Sequence, residues 1–342
     1  MAPDQRHRTP AAVVCGLGGF LPPQVITNDD LGRVLDTSDT WIRSRTGILR
    51  RHRAEPGTAT SDLAVEAGRR ALKSAGRDGE DAVDAVIVAT TTPDRICPAT
   101  APAVAWRLGL GTVPAFDVGA VCSGFLYALV TARSLLASGA ARSVLVIGAE
   151  TYSAILDPGD RSTLAIFGDG AGAVVVRAGT PDEPGAIGPA VLASDGSGSD
   201  LISVPSGGSR DPFRAATGDR ADPYFRMQGK QVFRQAVERM SECSRQVAER
   251  SGWPVEEVDV LVAHQANLRI LQAVADRIGM PRERCHVHLD RVGNTAAASI
   301  PLALADAAGE VLRPGHRVVL TAFGGGLTWG AIALTWPDVS PA

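Results

Sequence analysis

Lysine is almost missing from this 342-residue chain: Lys73 and Lys230 are the only two, and every other basic residue is arginine. The net charge of −3 leaves no excess of positive charge to hold a nucleic acid, so a nucleic-acid partner is not expected. No apolar run approaches the roughly 20 residues that a membrane-spanning helix needs, which excludes a membrane span of that kind. Met1–Pro10 is polar, carries Arg6, His7 and Arg8, and has none of the apolar segment of a secretion signal. It reads as a short disordered lead, and the protein as cytoplasmic. Cysteine is scarce too. Five in a long chain do not make a disulfide framework, and no pair has zinc-ligand spacing. Cys15, Cys97, Cys243 and Cys285 read as small core residues or bystanders. His286 and His288 alternate on an expected strand beside Cys285 but lack a third ligand, so no metal is expected.

What is present is an ordinary globular composition, 45% hydrophobic and 21% charged, long enough for two domain-sized halves. Short β-branched runs alternate with amphipathic stretches, the pattern of βαβ units with a mainly parallel sheet covered on both faces. Helices are expected over Ser61–Ala75, Gly124–Ala137, Gly229–Gly252 and Leu268–Ile278. The halves echo each other at a common offset: Ala85–Ala89 with Val260–Ala263, Asp117 with Asp290, and Val144–Ile147 with Val318–Thr321. The join falls near Gly179–Gly188, giving halves 1–180 and 181–342. The Gly/Ser/Asp/Pro-rich stretch Ser194–Pro223 is long for a connection and reads as a functional or partly mobile loop.

Two glycine-rich segments imitate nucleotide loops. Gly16-Leu17-Gly18-Gly19 runs into Phe20-Leu21-Pro22-Pro23, and Gly168–Ala173 runs into Val174-Val175-Val176. A dinucleotide loop must open a helix whose N-terminus holds pyrophosphate, and neither does. Both read as close backbone packing and turns. The five arginines Arg43, Arg45, Arg50, Arg51 and Arg53 form either a solvated face or a phosphate-binding patch.

The chemistry centres on Cys122. Phe116–Val118 reads as a strand and Gly124 onward as a helix, so the thiol stands at a helix start, where unpaired N–H groups and the helix dipole favour thiolate. Downstream lie His264-Gln265-Ala266-Asn267 and Gly293-Asn294-Thr295-Ala296-Ala297-Ala298-Ser299. A thiol that accepts an acyl group and leaves again, with an imidazole and an amide as neutral donors for an enolate oxygen, amounts to covalent acyl chemistry.

These motifs, with Asp36–Ile42, Arg45-Thr46-Gly47-Ile48, Phe167–Ala173 and Phe323-Gly324-Gly325-Gly326, resemble the type III ketoacyl-acyl carrier protein synthases of the thiolase-like superfamily. The resemblance runs from about Val13 to Leu334. It implies an α/β, thiolase-like, duplicated five-layered αβαβα fold with mainly parallel or mixed sheets, and a homodimer. It implies decarboxylative condensation of an acyl-CoA starter with malonyl-acyl carrier protein, opening fatty acid or polyketide synthesis, with no cofactor beyond the CoA thioester substrate. By the same resemblance Cys122 is the acyl acceptor, and His264 and Asn294 hold the malonyl thioester carbonyl. Gly325 completes an oxyanion hole with the Cys122 N–H, and Phe323 lies beside the malonyl carboxylate. Trp41 and Arg161 sandwich the CoA adenine, Thr37, Arg45 and Asn267 make further CoA or pantetheine contacts, and Arg269 meets the acidic carrier protein. Lys230 and Cys97 depart from the pattern, at a pantetheine contact and at the end of the acyl pocket. The arginine and alanine bias fits a high-GC actinobacterial source. Two alternatives share the scaffold: an acyltransferase that forms no carbon–carbon bond, and a non-catalytic carrier-binding partner.

Overall fold

The computed structural model describes residues 11–77, 79–212 and 221–342. The expected lead Met1–Pro10 and part of the Ser194–Pro223 connection lie outside the described residues. Two sheets dominate. The first contains β1 (Ala11–Phe20), β2 (Ala85–Ala89), β3 (Ala115–Val118), β4 (Ser143–Glu150) and β5 (Gly170–Gly179), in the order β1-β5-β4-β2-β3. The second contains β6 (Ile187–Ser194), β7 (Val260–Ala263), β8 (Arg317–Gly324) and β9 (Thr328–Thr335), in the order β7-β8-β9-β6. β2, β4, β5 and β1 of the first sheet thus correspond to β7, β8, β9 and β6 of the second. The counterpart of β3 is reduced to one parallel bridge, Leu261 to Cys285.

Strand–helix alternation alone implied parallel neighbours, but both sheets are mixed. β2 runs parallel to β3 and β4, and β7 parallel to β8, whereas β5 and β9 are antiparallel to both of their neighbours. In the second half only Gly325–Leu327 separates β8 from β9, and a connection that short can only reverse the chain.

Six helices matter for the site: α1 (Asp39–Thr46), α2 (Thr60–Ser74), α3 (Gly124–Ala137), α4 (Gly229–Arg250), α5 (Leu268–Ile278) and α6 (Ser299–Glu310). α3 and α6 lie between the sheets and are buried there with Phe125, Leu129, Ile300 and Leu304 against Val146, Val174, Leu320 and Ile332. α2 covers the outer face of the first sheet through Leu63, Ala67 and Leu72, and α4 and α5 cover that of the second through Met240, Val247, Leu271 and Val274. Five layers, αβαβα, result. At about 25 cal/mol per Å² of apolar surface, the four interfaces supply the dominant stabilising term.

Gly16 and Gly18 lie inside β1 rather than in a turn, and a Cβ on either would overlap the backbone of α2 at Ala67–Ala71. The Ser194–Pro223 connection is tethered where it is described: the Asp222 N–H donates to Ser206 Oγ at 2.9 Å, and Arg226 pairs with Asp222 and Asp157. No helix among the described residues is long and apolar enough to cross a membrane.

Because a Cβ on Gly172 of β5 would lie 2.7 Å from Leu302 N in α6, Gly172→Val should force the central helix away from the sheet. The expected loss is about 1–3 kcal/mol in urea unfolding, as for other overpacked cores; an unchanged midpoint would contradict the packing described.

Candidate active site

Cys122 lies in a single turn, Val121–Ser123, between β3 and α3. Val121 takes φ +46°, a left-handed value costly for a β-branched residue, and Gly124 opens the helix immediately after. From the other half the end of β8 approaches so closely that a Cβ on Gly324 would lie 2.8 Å from the Cys122 N. The thiol is buried in an apolar cluster with Tyr152, Phe167 and Phe225. Tyr152 stacks on Phe167 at 4.4 Å between ring centroids, and Phe225 meets both edge-on.

Sequence position alone implied an acidified thiol. Instead, burial, with the Glu150 carboxylate behind it, pushes the Cys122 thiol well above its ordinary value, and its own backbone N–H opposes this only in part. The helix start is real, but dry surroundings outweigh it.

His264 follows β7 and is buried; its ring is held near neutrality by desolvation, which lowers its pKa to about 3. Its Nδ1 lies 2.6 Å from Ser299 Oγ at the start of α6. Ser299 Oγ accepts the Gln265 N–H at 3.3 Å and has its own O–H to donate to Nδ1; with that donation the ring proton sits on Nε2. The Gln265 side chain donates to the carbonyls of Ala263 and His286 and accepts from the N–H groups of His288 and Leu289, fixing the His264 segment to the turn before Asn294. Asn294 is held on both sides: its N–H donates to the Ile166 carbonyl and its carbonyl accepts the Gly168 N–H. Its Oδ1 accepts the Ala296 N–H at 2.8 Å, which leaves the NH₂ free to point outward.

Cys122, His264 and Asn294 line one cavity of about 160 Å³, together with Phe323, Asn267 and Phe225. The cavity thus offers a thiol and two uncharged N–H donors to one small group. Phe323 also stacks on Trp329. Gly325 follows Gly324 in the turn after β8, beside Ile202. Ile202 and Met227, from the ribbon that Ile202–Ser203 forms with Arg226–Met227, add to the wall, so the long connection does contribute to the cavity.

Thr37, Trp41, Arg45, Arg161, Arg269 and Gly325 are not among the residues that line this cavity, and Asn267 stands at its wall. Asn267 caps α5 through Oδ1 and donates to the Arg45 carbonyl, and Arg269 donates to the Ser44 carbonyl, which ties α1 to the mouth. The guanidinium of Arg45 lies 4.6 Å and that of Arg161 5.1 Å from the Trp41 ring centroid. Arg161 is moored to Asp36 through side chain and carbonyl. An adenine entering between Trp41 and Arg161 must therefore displace that guanidinium. Thr37, beside Asp36, has a buried hydroxyl without a partner among the described residues.

Several readings change. Arg51 belongs neither to a solvated face nor to a phosphate patch: it is fully buried and donates to Ile26 and Ala165 carbonyls and to Asn28 Oδ1, with burial lowering its pKa to about 10. His286 and His288 are not on a strand but in the extended segment before Leu289, because only Cys285 pairs with β7. Both face Asp306, at 2.9 and 3.7 Å. Cys97 is exposed, and Lys230 stands exposed at the start of α4 beside Gly229, which lines the cavity. Ser299 and Glu150 carried no role in the sequence. Ser299 could have been read as the polar residue opening a helix; nothing local marks Glu150.

Comparison with known proteins agrees with this geometry. The family 3-oxoacyl-[acyl-carrier-protein (ACP)] synthase III matches residues 116–196, and its C-terminal part matches residues 248–336. The chain is 65% identical over 334 residues to beta-ketoacyl-[acyl-carrier-protein] synthase III 3 of Streptomyces coelicolor, covering 97% of this chain and 99% of that protein. It is similar to the crystal structure of 3-oxoacyl-(acyl carrier protein) synthase III from Pseudomonas aeruginosa, with TM-score 0.90 and 52% identity over 97% of this chain and 100% of that one. The priming beta-ketosynthase of the R1128 polyketide biosynthetic pathway matches with TM-score 0.90 and 35% identity, covering 98% of this chain and 99% of that one.

Ser299→Ala should leave Nδ1 of His264 without its donor. Nitrogen NMR of the ring should then change from one Nε2–H tautomer to a mixture, and the unmet buried group should cost about 1–3 kcal/mol of stability. An unchanged ring spectrum would remove Ser299 from the orienting role.

Proposed function

The chain belongs to the 3-oxoacyl-[acyl-carrier-protein] synthase III family, and from that premise we propose a division of labour among its residues. The enzyme is an acyltransferase that joins an acyl-CoA starter to malonyl-acyl carrier protein by decarboxylative Claisen condensation, giving 3-oxoacyl-acyl carrier protein. The observation that carries the assignment of roles is the single cavity lined by Cys122, His264 and Asn294.

In the first half-reaction the Cys122 sulfur attacks the acyl-CoA carbonyl and the C–S bond to CoA breaks. The thiol proton leaves with the CoA sulfur, so no net charge is created. The N–H groups of Cys122 and Gly325 hold the oxyanion, a role supported by the close approach of Gly324 to the Cys122 N. In the second half-reaction the malonyl C–C bond breaks, CO₂ departs and its bonding pair becomes an enolate. The Nε2–H of His264 and the NH₂ of Asn294 donate to the enolate oxygen. A neutral imidazole suits this, because it stabilises charge without giving up its proton. Phe323 keeps the malonyl carboxylate in apolar surroundings that favour its loss as CO₂. The enolate carbon then attacks the acyl-Cys122 carbonyl, and the cysteine sulfur departs and takes up from solvent the one proton that decarboxylation of a carboxylate consumes.

Trp41, Arg161, Arg45 and Thr37 form the outer CoA site, Asn267 guards the pantetheine passage, and Arg269 meets the acidic carrier. The arginine–tryptophan stack at the rim supports this reading. Each step balances with the substrates, the side chains and one proton from solvent, so the reading invokes no metal or cofactor. We take 1–180 as the half that supplies the nucleophile and 181–342 as the half that supplies His264 and Asn294. A homodimer in the cytoplasm completes the reading; the large apolar Ile96, 87% exposed, and Trp106, 79% exposed, offer surface for a second copy.

Cys122→Ala should abolish the acyl adduct seen by intact mass after incubation with an acyl-CoA panel; a stoichiometric adduct on that variant would refute the nucleophile. His264→Ala and Asn294→Ala should each slow CO₂ release from malonyl-acyl carrier protein by about 10²–10³ while loading is largely spared. Equal losses in both half-reactions would dissolve the assignment. With the His264 pKa near 3, the decarboxylation rate should show no limb from this ring between about pH 5 and 8.

Trp41→Ala should raise KM for acyl-CoA by about five- to thirtyfold, the worth of a lost stacking contact, with KM for malonyl-acyl carrier protein little changed. Equal rises in both would take the tryptophan out of the CoA site.

A further inference from the structure

The helix that orients His264 carries a second polar anchor. α6 begins at Ser299, whose hydroxyl lies against His264 Nδ1, and two turns later, on the same face, stands Asp306. Ile300 and Leu304 fix that helix between the sheets, so both side chains project from a rigid base. The Asp306 carboxylate gathers three groups from the segment before Asn294. His286 Nε2 lies 2.9 Å and Arg291 Nη2 2.6 Å from its Oδ2, and His288 Nε2 lies 3.7 Å from its Oδ1. A carboxylate only accepts, so His286 is the donor in its pair. Burial works against the charge, yet His286, His288 and Arg291 together hold the Asp306 carboxyl below its ordinary value. Arg291 also reaches Glu310 at 3.5 Å and Asp290 at 3.8 Å.

The segment depends on such an anchor. After Cys285 it leaves the sheet, and the His286 N–H, donated to the Leu261 carbonyl at 3.0 Å, ties it to β7. Gln265 supplies the next support: its side chain donates to the His286 carbonyl at 3.1 Å and accepts the His288 and Leu289 N–H groups at 2.8 and 3.1 Å. Gln265 directly follows His264, and the segment runs on through Leu289–Val292 and Gly293 to Asn294. One run of hydrogen bonds therefore joins Asp306 to both N–H donors of the cavity. The side chains of His286 and His288 are only 5% and 8% exposed, so water cannot replace the carboxylate that they face.

We propose that Asp306 is a positioning residue for decarboxylation: by binding His286 and Arg291 and facing His288 from α6, it sets the Gln265-bound segment that leads to Asn294 and so holds the two N–H donors at a fixed separation. The proposal rests on the reading of His264 and Asn294 as the enolate donors and adds what keeps them in register. An enolate oxygen gains from two donors only where both reach it at once. α6 then serves both of them, His264 through Ser299 and Asn294 through Asp306. Cys122, on the turn between β3 and α3, is not part of this run, so loading does not depend on it.

The test compares the two half-reactions of the full-length protein: loading, by intact mass with time after mixing with an acyl-CoA panel, and CO₂ release from malonyl-acyl carrier protein. Asp306→Ala should slow CO₂ release by about ten- to a hundredfold and leave loading within about twofold, as for a small misplacement of groups that act on one half-reaction. Asp306→Glu keeps a carboxylate facing Arg291 and should recover most of the loss. Arg291→Gln, at a partly exposed position, should show the same split at smaller size, and it decides the matter if Asp306→Ala does not fold. CO₂ release at the unaltered rate in a folded Asp306→Ala protein overturns the proposal. So do equal losses in both half-reactions, the mark of a loosened fold, and an Asp306→Glu protein as slow as Asp306→Ala. His264→Ala and Asn294→Ala are measured beside them. If those two release CO₂ at the unaltered rate, the donor assignment fails and takes the proposal with it; if they are slow and Asp306→Ala is not, the proposal fails alone.

Discussion

Cys122 is where it is because Gly324 has no side chain. The end of β8 crosses from the second half and rests against the backbone of Cys122, with no room for even a methyl group between them. That approach fixes two things together. It brings the end of β8 against the Cys122 backbone, and it carries Phe323 into the cavity wall. A site built from two halves of one chain needs such a contact, since neither sheet alone holds thiol, imidazole and amide. The packed α3–α6 layer then makes the contact rigid, because a shift at one turn must move a helix packed between the two sheets.

Electrostatics within the cavity follow from dryness more than from charge. His264 is neutral because it is buried, Asn294 cannot ionise, and the thiol is held protonated by the same burial. None of these groups is a strong acid or base at neutral pH. A reaction that begins with a neutral thiol and proceeds through an enolate therefore gains from preorganised N–H donors, which need no reorganisation when charge appears. The hydrogen bonds behind the site serve that purpose: Ser299 on Nδ1, Ala296 on Asn294 Oδ1, and the fourfold anchoring of Gln265. Charge is kept to the periphery, where Arg45 and Arg161 lie on Trp41.

Much of this was legible in the chain. β2, β7, α3 and α5 occur with the expected bounds, because each is a short, strongly patterned run closed by glycine or a polar cap. Cys122, His264 and Asn294 were legible because each follows a buried strand or its counterpart in a repeated unit. What the sequence hid depends on distance. The mixed direction of the sheets is set by the tight turn after β8, and strand patterns carry no direction. The burial of Arg51 depends on carbonyls of Ile26 and Ala165, far away in sequence, that accept its protons in place of a carboxylate. The raised thiol could not be read from a helix start, which states one influence on the sulfur and is silent about desolvation.

The two halves also explain where the catalytic asymmetry arises. Val121 and Ala296 take nearly the same left-handed φ, +46° and +45°, in equivalent turns before equivalent helices. The residues that follow are Cys122 in one half and Ala297 in the other. At the strand ends facing those turns, β8 presents Gly324 to Cys122, and β4 presents Glu150 to Ala297. One turn therefore carries a thiol and is closed by bare backbone, and its twin carries a methyl group and is closed by a carboxyl group. The Ala297 N–H faces Glu150 at 3.4 Å, whereas at the other strand end Gly324 sets only backbone against Cys122, so the duplicated architecture fills one of two equivalent positions with its own acid group and leaves the other to the thiol.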